Sequence, residues 1–249
     1  MELFYPDLSI QAAGYTFKQG VGLEVSSSKG SYFDWAKVRF TGQFKEKISL
    51  ASKVPASIWL GYNGVLEEVF TGYVAAPYDS GGGMNEVLLK DGMLLLEQTP
   101  ISNTFLNATP QDILSYGLEQ AGVHERRLSA KVYPAKPRVS ILRQSALSLF
   151  NTVHAAWGIS VPFFFSRGVF YWGTTPGQEQ IYRFEYGENI ISVTRAGGLW
   201  ALETVSAPFI RHSQRIAVQH PQVAGEFEVE KVVFTTNPAG FIRTNIYFH

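Results

Sequence analysis

The chain has 249 residues, 45% of them apolar and 17% charged, and its 21 basic side chains balance its 21 acidic ones. A formal net charge of zero gives no broad electrostatic footprint for nucleic acid. No apolar run reaches the roughly 18 residues that a membrane-spanning helix needs, and the absence of cysteine excludes disulfide frameworks, thiolate metal sites and cysteine nucleophiles.

The start, Met1-Glu2-Leu3-Phe4-Tyr5-Pro6, lacks the basic residues and apolar core of a secretory signal, so synthesis in a cytoplasm is expected. Residues 1–98 are expected as strands and turns. Val21–Val25, Ala36–Phe40 and Ser57–Leu60 alternate with the period of a half-buried strand. A turn is expected at Gly61-Tyr62-Asn63-Gly64, an extended run at Glu68–Val74, a loop at Asp79–Gly83 and another strand at Asn85–Lys90. Short strands separated by regular turn signals suggest a small barrel or sandwich.

The pattern changes at Thr109. Thr109 is a good helix cap, Pro110 suits the first helical position, and Ile113, Leu114, Leu118 and Ala121 recur at helical spacing before Gly122. A linker at Tyr133–Pro137 precedes a second helix with the stripe Ala146, Leu149, Phe150, Val153, Trp157 and a stop at Gly158. Ile159–Phe165 and Val169–Trp172 read as a hairpin, which makes residues 99–178 a small α+β insert. From 179 to 249 strands return at Ile190–Val193, Trp200–Val205, Arg215–Val218, Glu226–Val233 and Phe241–Phe248, with turns at Gly197-Gly198, His220-Pro221 and Asn237–Gly240.

The two flanking β regions can be laid on each other. Ile58-Trp59-Leu60 before a turn matches Ile216-Ala217-Val218 before a turn, and the strand of Glu68, Phe70 and Tyr73 matches that of Glu226, Phe227 and Val229. The expected fold class is therefore mainly β with an α+β insert. Two similar small β-barrels, 1–98 and 179–249, flank a helix-helix-hairpin domain at 99–178.

Chemistry is sparse. His124, His154, His212, His220 and His249 form no metal-binding spacing, and the pair His212 and His220 reads as a turn and a strand-edge histidine. No nucleophile elbow, phosphate loop or dinucleotide fingerprint is present, and Gly81-Gly82-Gly83 lies between strands instead of opening a helix. The carboxylates Glu67-Glu68, Glu185 with Glu188, and Glu226 with Glu228 read as solvated faces. Trp157, Tyr171, Trp172 and Trp200 could stack on a sugar if exposed on one face, but packing inside the insert is the expectation. The basic cluster Lys131, Lys136, Arg138 and Arg143 reads as solvated. No catalytic, cofactor-binding or metal-binding residues are assigned, and the chain is not expected to be an enzyme.

In order and spacing, three regions resemble the phage tail baseplate hub proteins of the late-control gene D family. The same fold forms the hub part of contractile-injection and type VI secretion spikes. The regions are Leu60-Gly61-Tyr62 with Phe70-Thr71-Gly72-Tyr73-Val74, then Thr109–Leu114 through Ala121-Gly122, then Tyr186–Ile191 with His212–Ile216 and Gly225–Val229. The resemblance implies a homotrimer whose six barrel positions adapt a six-fold tail tube to a three-fold spike. It implies a tube or distal tail protein and a spike or tail-tip protein as partners, with tape-measure protein or DNA passing the lumen, no cofactor, and a place in the virion tail. The alternatives are a carbohydrate- or peptidoglycan-binding tail module and a tail-associated hydrolase.

Overall fold

The computed structural model describes residues 6–40, 48–80, 85–236 and 241–249. The readings made above on Met1–Tyr5, Gly81–Gly83 and Asn237–Gly240 lie outside those residues. In chain order the strands of the first stretch are β1 (Pro6–Ala12), β2 (Tyr15–Phe17), β3 (Val21–Ser28), β4 (Trp35–Phe40), β5 (Ser49–Leu50), β6 (Pro55–Tyr62), β7 (Val65–Val74), β8 (Tyr78–Asp79) and β9 (Glu86–Lys90). Then come α1 (Met93–Gln98), β10 (Pro100–Ala108), α2 (Pro110–Gln120), β11 (Arg126–Leu128), β12 (Lys136–Ser145), α3 (Ala146–Trp157), β13 (Phe163–Ser166) and β14 (Val169–Trp172). The last stretch holds β15 (Tyr182–Glu185), β16 (Ile190–Ala196), β17 (Leu199–Val205), β18 (Arg215–His220), β19 (Val223–Thr236) and β20 (Ile242–Phe248). The protein is mainly β with a few helices.

The chain divides into two compact units, Met1–Asp91 with Pro176–His249, and Gly92–Thr175. In the larger unit a 13-stranded sheet runs through both sequence halves. Its pairing repeats. The first half has the order β3-β4-β9-β7-β6-β1, and the second has β16-β17-β20-β19-β18-β15. Strand for strand these are the same arrangement, differing in the last pair: β1 is antiparallel to β6, whereas β15 is parallel to β18.

The repeat reaches single hydrogen bonds. In the first half Val74 N donates to Val54 O at 2.9 Å and Lys53 N donates to Val74 O at 2.8 Å. In the second, Val229 N donates to Gln214 O at 2.8 Å and Ser213 N donates to Val229 O at 2.7 Å. Lys53 and Ser213 both take left-handed backbone angles, with φ of 66° and 64°, a conformation that costs a non-glycine residue about 1–2 kcal/mol. Val74 then pairs with Leu89, and Val229 with Phe248. These equivalences set Ala56–Ile58 against Ile216–Val218, two residues from the match that the turns suggest. Anchoring on the turn misleads because β6 runs on to Tyr62 before the tight Asn63-Gly64 turn, whereas β18 ends sooner. One hydrophobic core serves both halves, with Val25, Ile58, Leu60 and Val74 beside Leu202, Ile216, Val229 and Phe248.

The smaller unit contains the expected helices and hairpin. Thr109 Oγ1 accepts from Asp112 N at 3.3 Å and Asp112 Oδ2 accepts from Thr109 N at 2.9 Å, a reciprocal cap on α2. Ser145 Oγ accepts from Ser148 N at 3.1 Å at the start of α3, which ends at Gly158 with φ of 63°. The unit also holds four elements that the sequence does not predict. β10 and β12 pair as an antiparallel ribbon, β11 adds in parallel to β14, and Met93–Gln98, read above as part of a strand region, is a helix. Met93-Leu94-Leu95-Leu96 carries no β-branched residue, which suits a helix better than a strand.

Where strands cross closely, side-chain volume is excluded. A Cβ on Gly72 of β7 would stand 2.2 Å from Lys90 O and 2.8 Å from Phe70 Cζ. Gly72→Ala is therefore expected to destabilise the larger unit by about 1–3 kcal/mol, read as a lowered midpoint in urea unfolding. An unchanged midpoint would show that β7 and β9 separate without cost.

Candidate assembly interface

The joint between the two halves of the larger unit is the ladder from β3 to β19, running from Lys231 opposite Ser28 to Thr236 opposite Leu23. Residues that are 213 apart in sequence meet there, where Leu23 N donates to Thr236 Oγ1 at 3.0 Å. The ladder continues into the β3–β4 connection, with Lys29 N donating to Glu230 O at 2.9 Å and Lys29 Nζ 2.6 Å from Glu228 Oε1. That connection then folds inward. Asp34 accepts from Ser27 Oγ at 2.5 Å and from Ser28 N at 2.9 Å, while its own N–H donates to Asp91 Oδ2 at 2.9 Å.

Behind Asp34 stands His212 of the second half, 2% exposed. Its Nε2 is 4.0 Å from Asp34 Oδ2, and its Nδ1 is 3.0 Å from Ser213 Oγ. With His220 it reads in sequence as a pair of one turn and one strand-edge histidine. His212 lies in a turn that packs into the joint, and Asp34, which faces it, is too distant in sequence for spacing to reveal. Burial pushes the Asp34 carboxyl up to about 7, against the hydrogen bonds from Ser27 and Ser28 that favour its charged form. Burial also pushes the His212 imidazole down to about 4, with Lys29 adding to that shift and Glu228 opposing it. The favoured state of the joint at pH 5–6 is thus an uncharged acid beside an uncharged imidazole.

At the far end of the sheet path lies β16. It pairs with β17 from Ile190–Thr204 to Ala196–Leu199, and among the described residues it takes no second strand. Ile191 is 47% exposed there, and Thr194, Arg195 and Ala196 are exposed. This edge carries no lysine or proline, and Arg195 is its one charged residue.

The other candidate residues disperse. Trp172 is fully buried, and its Nε1 donates to His154 Nε2 at 2.7 Å. Burial lowers the pKa of His154, in keeping with a neutral acceptor. Trp157 Nε1 donates to Pro134 O at 2.7 Å, Tyr171 stacks on Phe164 with ring centroids 5.6 Å apart, and Trp200 belongs to β17 of the larger unit. Glu226 lies 2.7 Å from Arg215, Glu228 pairs with Lys29, and Glu185 lies 3.5 Å from Arg183. Lys131 sits over Tyr133 and Lys136 over Trp157, at 5.2 and 5.3 Å from the ring centroids. His124 and His249 are exposed, and His220 packs edge-on to Tyr186 with ring centroids 5.0 Å apart. Among the described residues no group of three or more His, Cys, Asp or Glu could hold a metal ion, and no helix is long and apolar enough to cross a membrane.

No family model matches the chain, and no curated protein matches it in sequence. Solved structures do match its fold. The 43 kDa tail protein of prophage MuSo2 from Shewanella oneidensis superposes over 99% of this chain and 98% of its own, at a TM-score of 0.73 and 12% identity. The tail protein from Neisseria meningitidis MC58 gives 0.70 at 9% identity, covering 98% of this chain and 96% of its own. The E. coli c3393 protein, a component of the type VI secretion system with structural similarity to the T4 bacteriophage tail proteins gp27 and gp5, gives 0.69 at 12% identity, covering 96% and 76%. This chain has the fold of those tail and secretion proteins. The fold expected from the family resemblance is the fold found.

The joint carries a pH signature. Between about pH 4 and 6.5 the folded pair holds one proton, on Asp34. The unfolded pair also holds one, on His212, because the ordinary values are 3.8 and 6.5. Proton uptake on folding therefore cancels, and this pair gives stability almost no slope in that window. Asp34→Asn removes the acid and leaves a histidine whose folded pKa is depressed, so stability is expected to fall as pH drops from 6.5 to 4. His212→Gln leaves an acid whose folded pKa is raised, so stability is expected to fall as pH rises from about 4 to 7. Each slope should amount to about 1–3 kcal/mol over its window, read from urea midpoints against pH. Parallel profiles for both variants and the parent would refute the neutral pair.

Proposed function

We propose that this chain is a structural, non-enzymatic hub of a phage tail or a related injection particle. It assembles as a homotrimer whose three copies place six similar half-units around one axis. The duplicated strand order of the larger unit carries this reading. A closed ring of three chains with two like halves each offers near six-fold backbone geometry while keeping three-fold identity. Such a ring adapts a six-fold tail tube on one side to a three-fold spike or tail tip on the other. The partners are then a tube or distal tail protein, the spike or tail-tip protein, and tape-measure protein or DNA passing through the lumen. The site of action is the virion tail, after synthesis in the bacterial cytoplasm.

Several observations support the reading. The proteins of like fold are described as prophage tail proteins and as a type VI secretion component. Of the candidate carboxylates Glu185, Glu226 and Glu228 lie in surface ion pairs, and Trp172 of the smaller unit is buried in packing. A neutral chain has little long-range repulsion to oppose self-association. Light scattering across a concentration series should approach three times the 27.7 kDa chain mass. A mass that stays at one chain across the series, with no ring visible in electron micrographs, overturns the proposal.

A further inference from the structure

The smaller unit carries a sheet face that the described residues leave uncovered. The β10–β12 ribbon packs one face inward, with Ile101, Val139 and Ile141 buried and Phe105 edge-on to Tyr116 of α2, ring centroids 5.2 Å apart. On the opposite face Ser102, Thr104, Leu106, Arg138, Ser140 and Leu142 are all exposed, Leu106 by 71% and Leu142 by 77%. Single exposed leucines are ordinary on a protein surface. These two are set apart by what lies between and beside them.

At the centre of the face Thr104 Oγ1 donates to Ser140 Oγ at 3.2 Å, and Arg138 Nε donates to the same hydroxyl at 3.2 Å. The Arg138 guanidinium is therefore drawn over the middle of the ribbon. At one end the ladder passes from Ile101–Gln144 to Asn103–Ile141, so that Ser102 alone faces both Leu142 and Arg143, a β-bulge. Ser102 Oγ accepts from Arg143 N at 3.0 Å, and Arg143 takes a left-handed φ of 50°. Leu142 and Arg143 are both exposed there. Leu142 thus stands level with Ser102 and Leu106 level with Arg138, four residues or about 13 Å along the ribbon. The two strands contribute Lys136, Arg138 and Arg143 and no acidic residue.

This arrangement selects among partners. A lipid surface is met by apolar side chains gathered at one protruding tip, whereas these leucines stand at opposite ends of a ribbon with hydroxyls between them. A nucleic-acid backbone would engage the arginines and leave the leucines unused. We propose that the outer face of the β10–β12 ribbon docks an extended, acidic segment of a partner protein. The segment bears apolar side chains at positions i and i+4 and a carboxylate at i+2. A strand places those three side chains on one face. The outer two then cover Leu106 and Leu142, and the central carboxylate meets the Arg138 guanidinium and the Thr104–Ser140 hydroxyl pair, a charge-assisted contact. Arg143 adds positive charge at one end and favours an acidic segment over a neutral one. The inference concerns the smaller unit and stands apart from the ring, whose own test is the mass of the chain in solution.

The probe is a cyclic hairpin peptide, rigid in its extended form, that displays Leu-x-Asp-x-Leu on one face and carries a fluorescent label. Its anisotropy is read on titration with the full chain. It is expected to bind at least about tenfold more tightly than the same hairpin with lysine at i+2. Leu106→Ser/Leu142→Ser should weaken binding about tenfold at an unchanged thermal midpoint, since both side chains are exposed. Arg138→Glu should reverse the preference between the aspartate and lysine hairpins, a gain that an unfolded variant could not give. Equal binding of the two hairpins, or binding that survives both variants, would overturn the proposal. So would single-stranded DNA or anionic phosphatidylserine vesicles that displace the hairpin and bind Leu106→Ser/Leu142→Ser as tightly as the parent, because the face would then be a general polyanion site.

Discussion

The larger unit depends on a ladder that forms late in the chain's own geometry. β3 leaves the ribosome early and β19 near the end, yet they must lie side by side before the sheet is continuous. Closing so long a loop is entropically costly, though the cost grows only with the logarithm of loop length. The smaller unit, Gly92–Thr175, gathers a large part of the intervening sequence, though less than half of it, into a compact body of its own. Once folded, it shortens the effective loop that the ladder has to close. The insert is thus compatible with the long-range pairing and reduces the freedom that the pairing must remove.

The same ladder explains the unusual chemistry beside it. A joint between two halves of a core cannot leave a charge exposed to low dielectric without large cost. Asp34 and His212 meet this constraint by staying uncharged together, with the carboxyl held by Ser27 and Ser28 and the imidazole against Ser213. Lys29 and Glu228 form the charged contact of this region at its partly exposed margin, where water still screens it. Polarity at the joint therefore fixes the position of the β3–β4 connection. A leucine pair of similar volume could fill the space, but it would leave Ser28 N without the carboxyl oxygen that accepts from it.

Much of this was legible in the sequence because period and caps are local. Val21–Val25, Ala36–Phe40 and the Thr109 and Ser145 helix starts follow from residues within a few positions of one another. In the β10–β12 ribbon Arg138-Val139-Ser140-Ile141 alternates polar and apolar, but the prolines at 134 and 137 give the start of β12 the composition of a linker. The repeat was visible as a pattern and misplaced by two residues, because its anchors are not the turns. They are Val74 and Val229, whose bonds to Lys53 and Ser213 lie in backbone geometry that side-chain similarity does not record. His212 could not be assigned at all. What makes it distinctive is Asp34, and no local spacing links two residues that only the completed sheet brings together.

Two halves with one strand order need not carry one surface. The first half bears β2, β5 and β8 in addition to the shared six strands, while the second has a two-glycine turn, Gly197-Gly198, between its second and third strands where the first has the longer connection holding Asp34. Backbone pairing is indifferent to most of these additions, whereas side-chain recognition is not. In the proposed ring the shared strands supply near six-fold regularity, which a tube of six like subunits requires, and the half-specific elements break it to three-fold. A duplicated chain needs only divergence of loops and edges for this, since the ladder geometry that sets the ring's curvature is common to both halves. The stability of the sheet and the symmetry mismatch would then be set by different parts of the same sequence. Internal similarity in sequence is very low here, while the same pair of backbone hydrogen bonds recurs at Val74 and at Val229, and the β3–β19 ladder joins the two halves.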